Sequence, residues 1–305
     1  MPIIERKDLP EIAPFFRTSF GKNVGDWLFK IAGIDKVNAL YDKCKDAEGH
    51  LFCSSIIKTE KISYTVHGYE KLEAMDEPFI TISNHAYGGM DGIVLIDMVG
   101  RLFPKFKVMV NQFLGMIKAL RPSLIVVNPN AESEGKPTYT SIHGVKEFLA
   151  QLHDGLPVGL FPSGAVSDLR LGKPKVHHDS PFLDSDTLGP KDGSFLTRHI
   201  RDREWQMQAV KLIRKAKVPV VPVRFFDRNS AFYYYLGLIS WKIRLLRLPH
   251  ECLNKGGARI RIGIGDPIYP EQQSKITSEE DFRKMLRASV YDMSEPQGEG
   301  LTFNA

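Results

Sequence analysis

TISNHAYGGMDGIVL, residues Thr81–Leu95, is the stretch on which the fold of this chain turns. An apolar run, Phe79, Ile80 and Ile82, carries a histidine to a turn, and the turn carries a carboxylate to the start of a second apolar segment. That pattern describes a strand, a loop and a helix start. Residues six apart on a helix point about 240° apart, so His85 and Asp91 meet only if the chain between them folds back. Gly88 and Gly89 allow the positive φ that such a return needs. Asp91 then falls near a helix N-terminus, where backbone N–H groups favour a carboxylate. A histidine oriented by a fixed carboxylate is a general base. Taken alone, the pair reads equally well as a polar turn residue and an N-cap, and the rest of the chain has to decide.

Downstream, short apolar runs alternate with helical stripes. FKVMV (Phe106–Val110), LIVVN (Leu124–Asn128), LPVGLF (Leu156–Phe161), VPVVPVRF (Val218–Phe225) and ARIRIGIG (Ala258–Gly265) read as strands. Ile142, Val145, Phe148, Leu149 and Leu152 recur at helical spacing up to Gly155; so do Trp205, Ala209, Leu212, Ile213 and Ala216, and then Phe282, Met285, Leu286 and Val290. This alternation predicts an α/β fold: a single domain with a central, mostly parallel sheet flanked by helices. The expected organisation is an N-terminal helical cap over 1–60, the α/β domain over 61–293 and a flexible tail over 294–305.

Within the cap, Phe20, Val24, Trp27, Leu28 and Ile31 form a stripe that is either a core face or, with Lys22 and Lys30, a helix lying on a membrane. Lys173–Arg198 is polar, rich in turn formers and too long for a simple connection, which points to a functional or mobile loop. AFYYYLGLISWKIRLLRL (Ala231–Leu248) suits either a core or a membrane interface.

Composition narrows the function classes. Lys plus Arg less Asp plus Glu is 41 − 36 = +5, too small an excess to argue for nucleic acid but compatible with anionic lipid. The three cysteines, Cys44, Cys53 and Cys252, have no metal-site spacing and cannot all pair, as expected in a reducing compartment. His177-His178 with Asp179 and Asp184 sit on a turn-rich loop without a helical His pair, so no metal is expected. The N-terminus lacks a signal-peptide pattern and no run of eighteen apolar residues occurs, which leads us to expect a cytoplasmic protein.

Four segments fall in a telling order: NHAYGGMD (Asn84–Asp91), the region Gly115–Asn128, LFPSGAVS (Leu160–Ser167) and VPVVPVRF (Val218–Phe225). Together they resemble the glycerophosphate and lysophospholipid acyltransferase family, which pairs a His-Asp motif with a Phe-Pro-x-Gly motif and a later Val-Pro-Val strand. The five-residue His-Asp spacer, IRDREW (Ile200–Trp205), FFDRNSAFYYYLG (Phe225–Gly237) and LPHECLNKGGARIRIGIGDPI (Leu248–Ile268) are similar to its hemolysin-like branch, associated with acylation of lyso-aminolipids. The resemblance implies a glycerol-3-phosphate acyltransferase-like fold and transfer of a fatty acyl group from acyl carrier protein or CoA to a hydroxyl of a lyso-lipid, with no other cofactor; such a lipid substrate favours the interface reading of Ala231–Leu248 and a place peripheral to the inner membrane.

The residue chemistry agrees with this. An alcohol at neutral pH needs a base at its proton, and His85, backed by Asp91, supplies one. Asn84, Gly88, Gly89, Phe161, Pro162, Ser163 and Gly164 are expected to contact the substrates, with N–H groups around Gly164 facing donor phosphate or the oxyanion. Two positions depart from the family: Ser163 stands where glutamate is common, and Asn128-Pro129 where an arginine follows the strand. Arg121 and Lys118 nearby read as surface charge. The context of Ser163 is not Gly-x-Ser-x-Gly, which argues against a hydrolase nucleophile. The departures motivate an alternative, a non-catalytic lipid-binding protein of the same fold; a thioesterase using water is a third possibility.

Overall fold

The structure is a computed structural model, and it describes residues 18, 32–111, 114–127, 139–171 and 198–304. Helices α1 (Ile34–Cys44) and α2 (His50–Thr59) lead into strand β1 (Ser63–His67) and a single turn, α3 (Glu70–Glu73). The decisive stretch folds as read: β2 (Ile80–Ser83), a loop, then α4 (Gly89–Gly100). β3 (Lys107–Asn111), β4 (Leu124–Val127), α5 (Tyr139–His153) and β5 (Val158–Leu160) follow. Between β3 and β4 lie tight 3-10 turns, Leu114–Met116 and Lys118–Ser123; Pro122, which lacks an N–H, sits in the second. Next come β6 (Asp168–Leu171), β7 (Arg198–Arg201), α6 (Met207–Ala216), β8 (Val220–Phe225), α7 (Ala231–Ile239) and α8 (Trp241–Leu253). The last elements are β9 (Arg259–Ile264), α9 (Pro270–Ser274), α10 (Glu279–Tyr291) and β10 (Leu301–Phe303).

Eight strands form one sheet in the order β10-β1-β9-β8-β2-β5-β3-β4, and β6 and β7 pair separately. β2 lies between two parallel partners, with Ile80 opposite both Val158 of β5 and Val220 of β8. Only the β8–β9 and β1–β10 pairs of this sheet are antiparallel. β2 is buried along its whole length, as a strand covered on both faces must be. One face of the sheet packs Phe52, Ile56, Val94 and Met98 of α2 and α4. The other packs Phe148, Val210, Phe282 and Leu286 of α5, α6 and α10. Each such side chain, fully buried, stabilises the fold by roughly 1.5–3 kcal/mol.

The expected flexible tail is a correction. Leu301–Phe303 adds β10 antiparallel to β1, with Thr65 opposite Thr302. Phe303 anchors it, stacking on Tyr64 at 4.9 Å between ring centroids and meeting Tyr69 edge-on at 5.2 Å. The segment's polar composition concealed one aromatic with a socket. The stripe from Phe20 to Ile31, the loop from Lys173 up to β7, the His177-His178 cluster and Asn128-Pro129 lie outside the described residues.

Candidate active site

Three adjacent parallel strands, β8, β2 and β5, end on the same side of the sheet, and their carboxyl ends deliver the candidate residues, where open α/β sheets place ligands. β2 releases Asn84-His85, and β5 releases Phe161-Pro162.

His85 and Asp91 meet. Nδ1–H of the imidazole donates to Asp91 Oδ2 at 3.0 Å, which leaves Nε2 as the acceptor nitrogen. Asp91 is completely buried and accepts three more hydrogen bonds: Tyr87 N at 3.0 Å and Gly88 N at 3.2 Å on Oδ2, and Gly92 N at 2.9 Å on Oδ1. It therefore sits in the first turn of α4, held by the loop that it holds in turn. The ring of Phe161 lies 4.3 Å from that of His85, tilted by 31°. Burial works against a charged imidazole, but the charge and hydrogen bond of Asp91, with a further contribution from Asp202, outweigh it and raise the His85 pKa.

The loop closes only because Gly88 has no side chain. Its φ is +83°, and a Cβ there would lie 2.8 Å from Leu248 Cδ1 and 2.9 Å from Val166 Cγ2. At Gly89 a Cβ would meet Cys252 Sγ at 2.7 Å. Both glycines were expected to touch substrate; packed against protein, they make the turn instead. Asn84 is a second correction. Its Nδ2 donates to Phe225 O at 3.0 Å and its Oδ1 accepts from Phe225 N at 2.8 Å, so the amide pins β2 to the end of β8.

The Phe-Pro-Ser-Gly turn is a third correction. Gly164 has a φ of +62°, and its N–H donates to Phe161 O at 3.0 Å, closing the turn on itself rather than offering that donor to an oxyanion. Pro162 is buried, and its carbonyl accepts from Gln206 N at 2.9 Å. Ser163 is 3% exposed and donates from Oγ to Ala165 O at 2.7 Å, so it presents no free hydroxyl. Burial pushes the Cys252 thiol up to about 12, which leaves no thiolate beside the loop. Arg121 and Lys118 are exposed, as expected. Among the described residues, no group of three His, Cys, Asp or Glu side chains is placed to hold a metal ion.

Sequence reading missed the second tier of the site. Asp202 is buried and accepts from His85 N at 3.1 Å, from Ser167 Oγ at 2.6 Å and from Trp205 Nε1 at 3.2 Å. Burial raises its pKa, while the Ser167 hydrogen bond works the other way. Ser167 N and Oγ donate to His85 O at 2.8 and 3.1 Å. Tyr234 OH donates to Ala86 O at 3.0 Å, and Asn229 Nδ2 donates to Tyr87 O at 3.1 Å. LFPSGAVS ends on Ser167, IRDREW holds Asp202 and Trp205, and FFDRNSAFYYYLG holds Asn229 and Tyr234, but Asp202, set between two arginines, reads in one dimension as a solvated charge.

A His-Asp pair at the carboxyl edge of a parallel sheet, with the carboxylate buried and the imidazole 18% exposed, can take a proton from an alcohol. The model of the family described as "Acyltransferase" matches residues 8–182. A lyso-glycine lipid O-acyltransferase of Bacteroides thetaiotaomicron is 25% identical over 283 residues, covering 89% of this chain and 90% of that protein. One of Phocaeicola vulgatus is 23% identical over 300 residues, covering 93% and 95%. The crystal structure of the 1-acyl-sn-glycerophosphate acyltransferase PlsC from Thermotoga maritima aligns over 94% of this chain and 92% of that one, at 14% identity and a TM-score of 0.44.

Proposed function

This chain belongs to the acyltransferase family, and from that premise we propose that it moves a fatty acyl group from a thioester, on acyl carrier protein or CoA, to the free hydroxyl of a lyso-lipid with an amino-acid headgroup. The observation that carries the reading is the 3.0 Å contact between His85 Nδ1 and Asp91 Oδ2. With that nitrogen occupied, Nε2 takes the proton of the acceptor hydroxyl as its oxygen attacks the thioester carbonyl. Asp91 stabilises the imidazolium that forms. Collapse of the tetrahedral adduct breaks the carbon–sulfur bond, and the departing thiolate takes the proton back from Nε2. Ester and free thiol are the products, and no acyl-enzyme is required because the donor is already activated. The occupied Ser163 hydroxyl supports that economy.

The likeness to lyso-glycine lipid acyltransferases supports an amino-acid acceptor. Glycine has no hydroxyl of its own, so an O-acyl acceptor built on it carries the hydroxyl on the chain attached to its nitrogen. The glycine carboxylate is then left free.

The acceptor has to come from a bilayer, and the α7–α8 hairpin supplies a face for one. Phe232, Tyr235, Leu238, Ile239, Trp241 and Leu245 are all exposed, Ile239 to 76%. Aromatic and aliphatic side chains so placed, with Arg247 of α8 over the Phe232 ring, suit the headgroup boundary of a membrane. No helix among the described residues is long and apolar enough to cross one.

The test combines thiol release with mass spectrometry of the lipid product, using purified protein, acyl carrier protein or CoA thioesters, and lyso-lipids that include a hydroxyacyl glycine. Acylated lipid should appear in step with thiol, and His85→Ala should lower the rate by about 10²–10⁴-fold at unchanged melting temperature. Thiol without acylated lipid would mean a thioesterase. Lipid binding without thiol would mean a binding protein, a reading that the intact His85-Asp91 contact argues against.

A further inference from the structure

Beside the catalytic loop, between β6 and the α7–α8 hairpin, a cleft of about 350 Å³ opens, with Asp168, Arg203, Tyr234, Trp241 and Arg244 on its walls. Its chemistry is two guanidiniums around one carboxylate. Asp168 accepts from Arg203 Nε at 2.8 Å and is ion-paired to Arg244 Nη1. That Arg244 nitrogen also donates to Ser167 O at 3.1 Å, and its guanidinium lies over the Tyr233 ring. Gly237 makes room for the stem, since a Cβ there would lie 2.9 Å from Arg244 Cδ. Arg244 is 3% exposed and therefore fixed, whereas Arg203 is 47% exposed. Neither terminal nitrogen of Arg203, nor Nη2 of Arg244, has a hydrogen-bond partner among the described residues.

Among the described residues that line it, two cations and one anion leave the cleft one positive charge in excess. A planar guanidinium fork with unused donors matches an oxyanion bidentately. A surplus of one charge balances a monoanion, whereas a phosphate monoester at neutral pH would overfill it. Two residues of its wall also reach the loop that carries His85. Tyr234, on its wall, donates to Ala86 O, and Ser167, which Arg244 holds, donates to His85 O. Trp241 borders the cleft and is itself exposed with the apolar face of the hairpin, so headgroup and chain have adjoining surfaces.

We propose that this cleft is the headgroup site of the acyl acceptor and takes a carboxylate, held between Arg203 and Arg244. The inference rests on the acyl-transfer reading and gives it a substrate class. The probes are an N-acylglycine with a hydroxyl on its acyl chain, its methyl ester, and lysophosphatidic acid. Each is measured twice: by calorimetric binding to the whole chain without donor, and by steady-state turnover with donor.

Arg203→Gln leaves Arg244 to satisfy Asp168, so the fold should persist. The expected result is that Kd and KM for the free acid rise at least about tenfold, with kcat within about threefold, the loss of one charge-assisted contact. The methyl ester should bind wild type more weakly than the acid does and should not distinguish the two proteins, and Arg203→Lys should recover part of the loss. Equal affinity of wild type and Arg203→Gln for the acid overturns the proposal. So does an equal loss for acid and ester, or a wild-type preference for lysophosphatidic acid. Arg203-dependent binding of the acid without any turnover would sink the acyl-transfer reading and leave the headgroup site standing. Turnover indifferent to Arg203 would do the reverse.

Discussion

Asp91→Asn tests the proposed base at a single atom pair. Asn is nearly isosteric, and its amide oxygen placed at the Oδ2 position still accepts from His85 Nδ1, Tyr87 N and Gly88 N, so the loop and the tautomer survive. The amide nitrogen then faces Gly92 N–H, a mismatch that costs roughly 1–3 kcal/mol of stability. What disappears is a charge 3.0 Å from the imidazole, worth about 5 kcal/mol against a full positive charge at an effective dielectric of about 20. With the proton only partly transferred in the transition state, about half of that applies, roughly 2–3 kcal/mol or about 30–150-fold in kcat. A pH profile adds a sign. Asp91 holds the His85 pKa above 6.5, and only neutral imidazole accepts a proton, so wild-type kcat/KM rises with pH through that raised value. Without the carboxylate, burial remains, and the limb should move to lower pH even as the plateau falls. The assay is thiol release between about pH 5 and 9, with circular dichroism as the fold control. A variant that keeps more than about a third of wild-type kcat, a loss under about 0.7 kcal/mol, or whose limb stays put, would refute the pairing argument.

Ser163→Ala should turn over within about threefold of wild type, because its hydroxyl is tied to Ala165 O; a loss beyond about a hundredfold in single-turnover assays would restore a nucleophilic serine. Asn84→Ala leaves the N–H and C=O of Phe225 without side-chain partners and should lower stability by roughly 2–4 kcal/mol in urea unfolding, with no change in m. Gly88→Ala forces a Cβ at φ +83° against Leu248 and Val166, which should cost roughly 2–4 kcal/mol and cut activity with it, read by melting temperature and thiol release together.

The fold was legible because its signals are local. Ile80 and Ile82, then a glycine-bearing turn, then Val94 and Leu95 suffice for β2, the loop and the start of α4. The His85-Asp91 pair was legible for the same reason, since both ends lie within seven residues and only the return had to be inferred. The roles of Asn84 and Gly164 were not. Whether an amide faces substrate or a neighbouring backbone depends on Phe225, 141 positions away and brought close only by the parallel pairing of β2 with β8. Asp202 was hidden by its neighbours Arg201 and Arg203, and only the fold shows that it turns inward to meet His85 N and Ser167. The tail misled for a related reason: one aromatic, Phe303, outweighed a polar context because Tyr64 and Tyr69 offered it a place.

The loop between β2 and α4 that carries the proposed base has no regular structure of its own, yet a base must sit within about 0.5 Å of its working position. Side chains from elsewhere supply the order. Asn84 is clamped to β8, His85 N–H to Asp202, His85 O to Ser167, Ala86 O to Tyr234 and Tyr87 O to Asn229, while Asp91 gathers the N–H groups of Tyr87 and Gly88. Two of these clamps, Asn229 and Tyr234, lie at the start of the hairpin whose far end exposes Ile239 and Trp241. The element proposed to meet lipid is therefore also one that orders the loop bearing the base. Changes made to the apolar face at Tyr235, next to Tyr234, or at Phe232, two residues before it, should be judged by turnover on soluble short-chain acceptors as well as by vesicle binding. A loss confined to vesicles marks a membrane contact; a loss shared by both marks a disturbed loop.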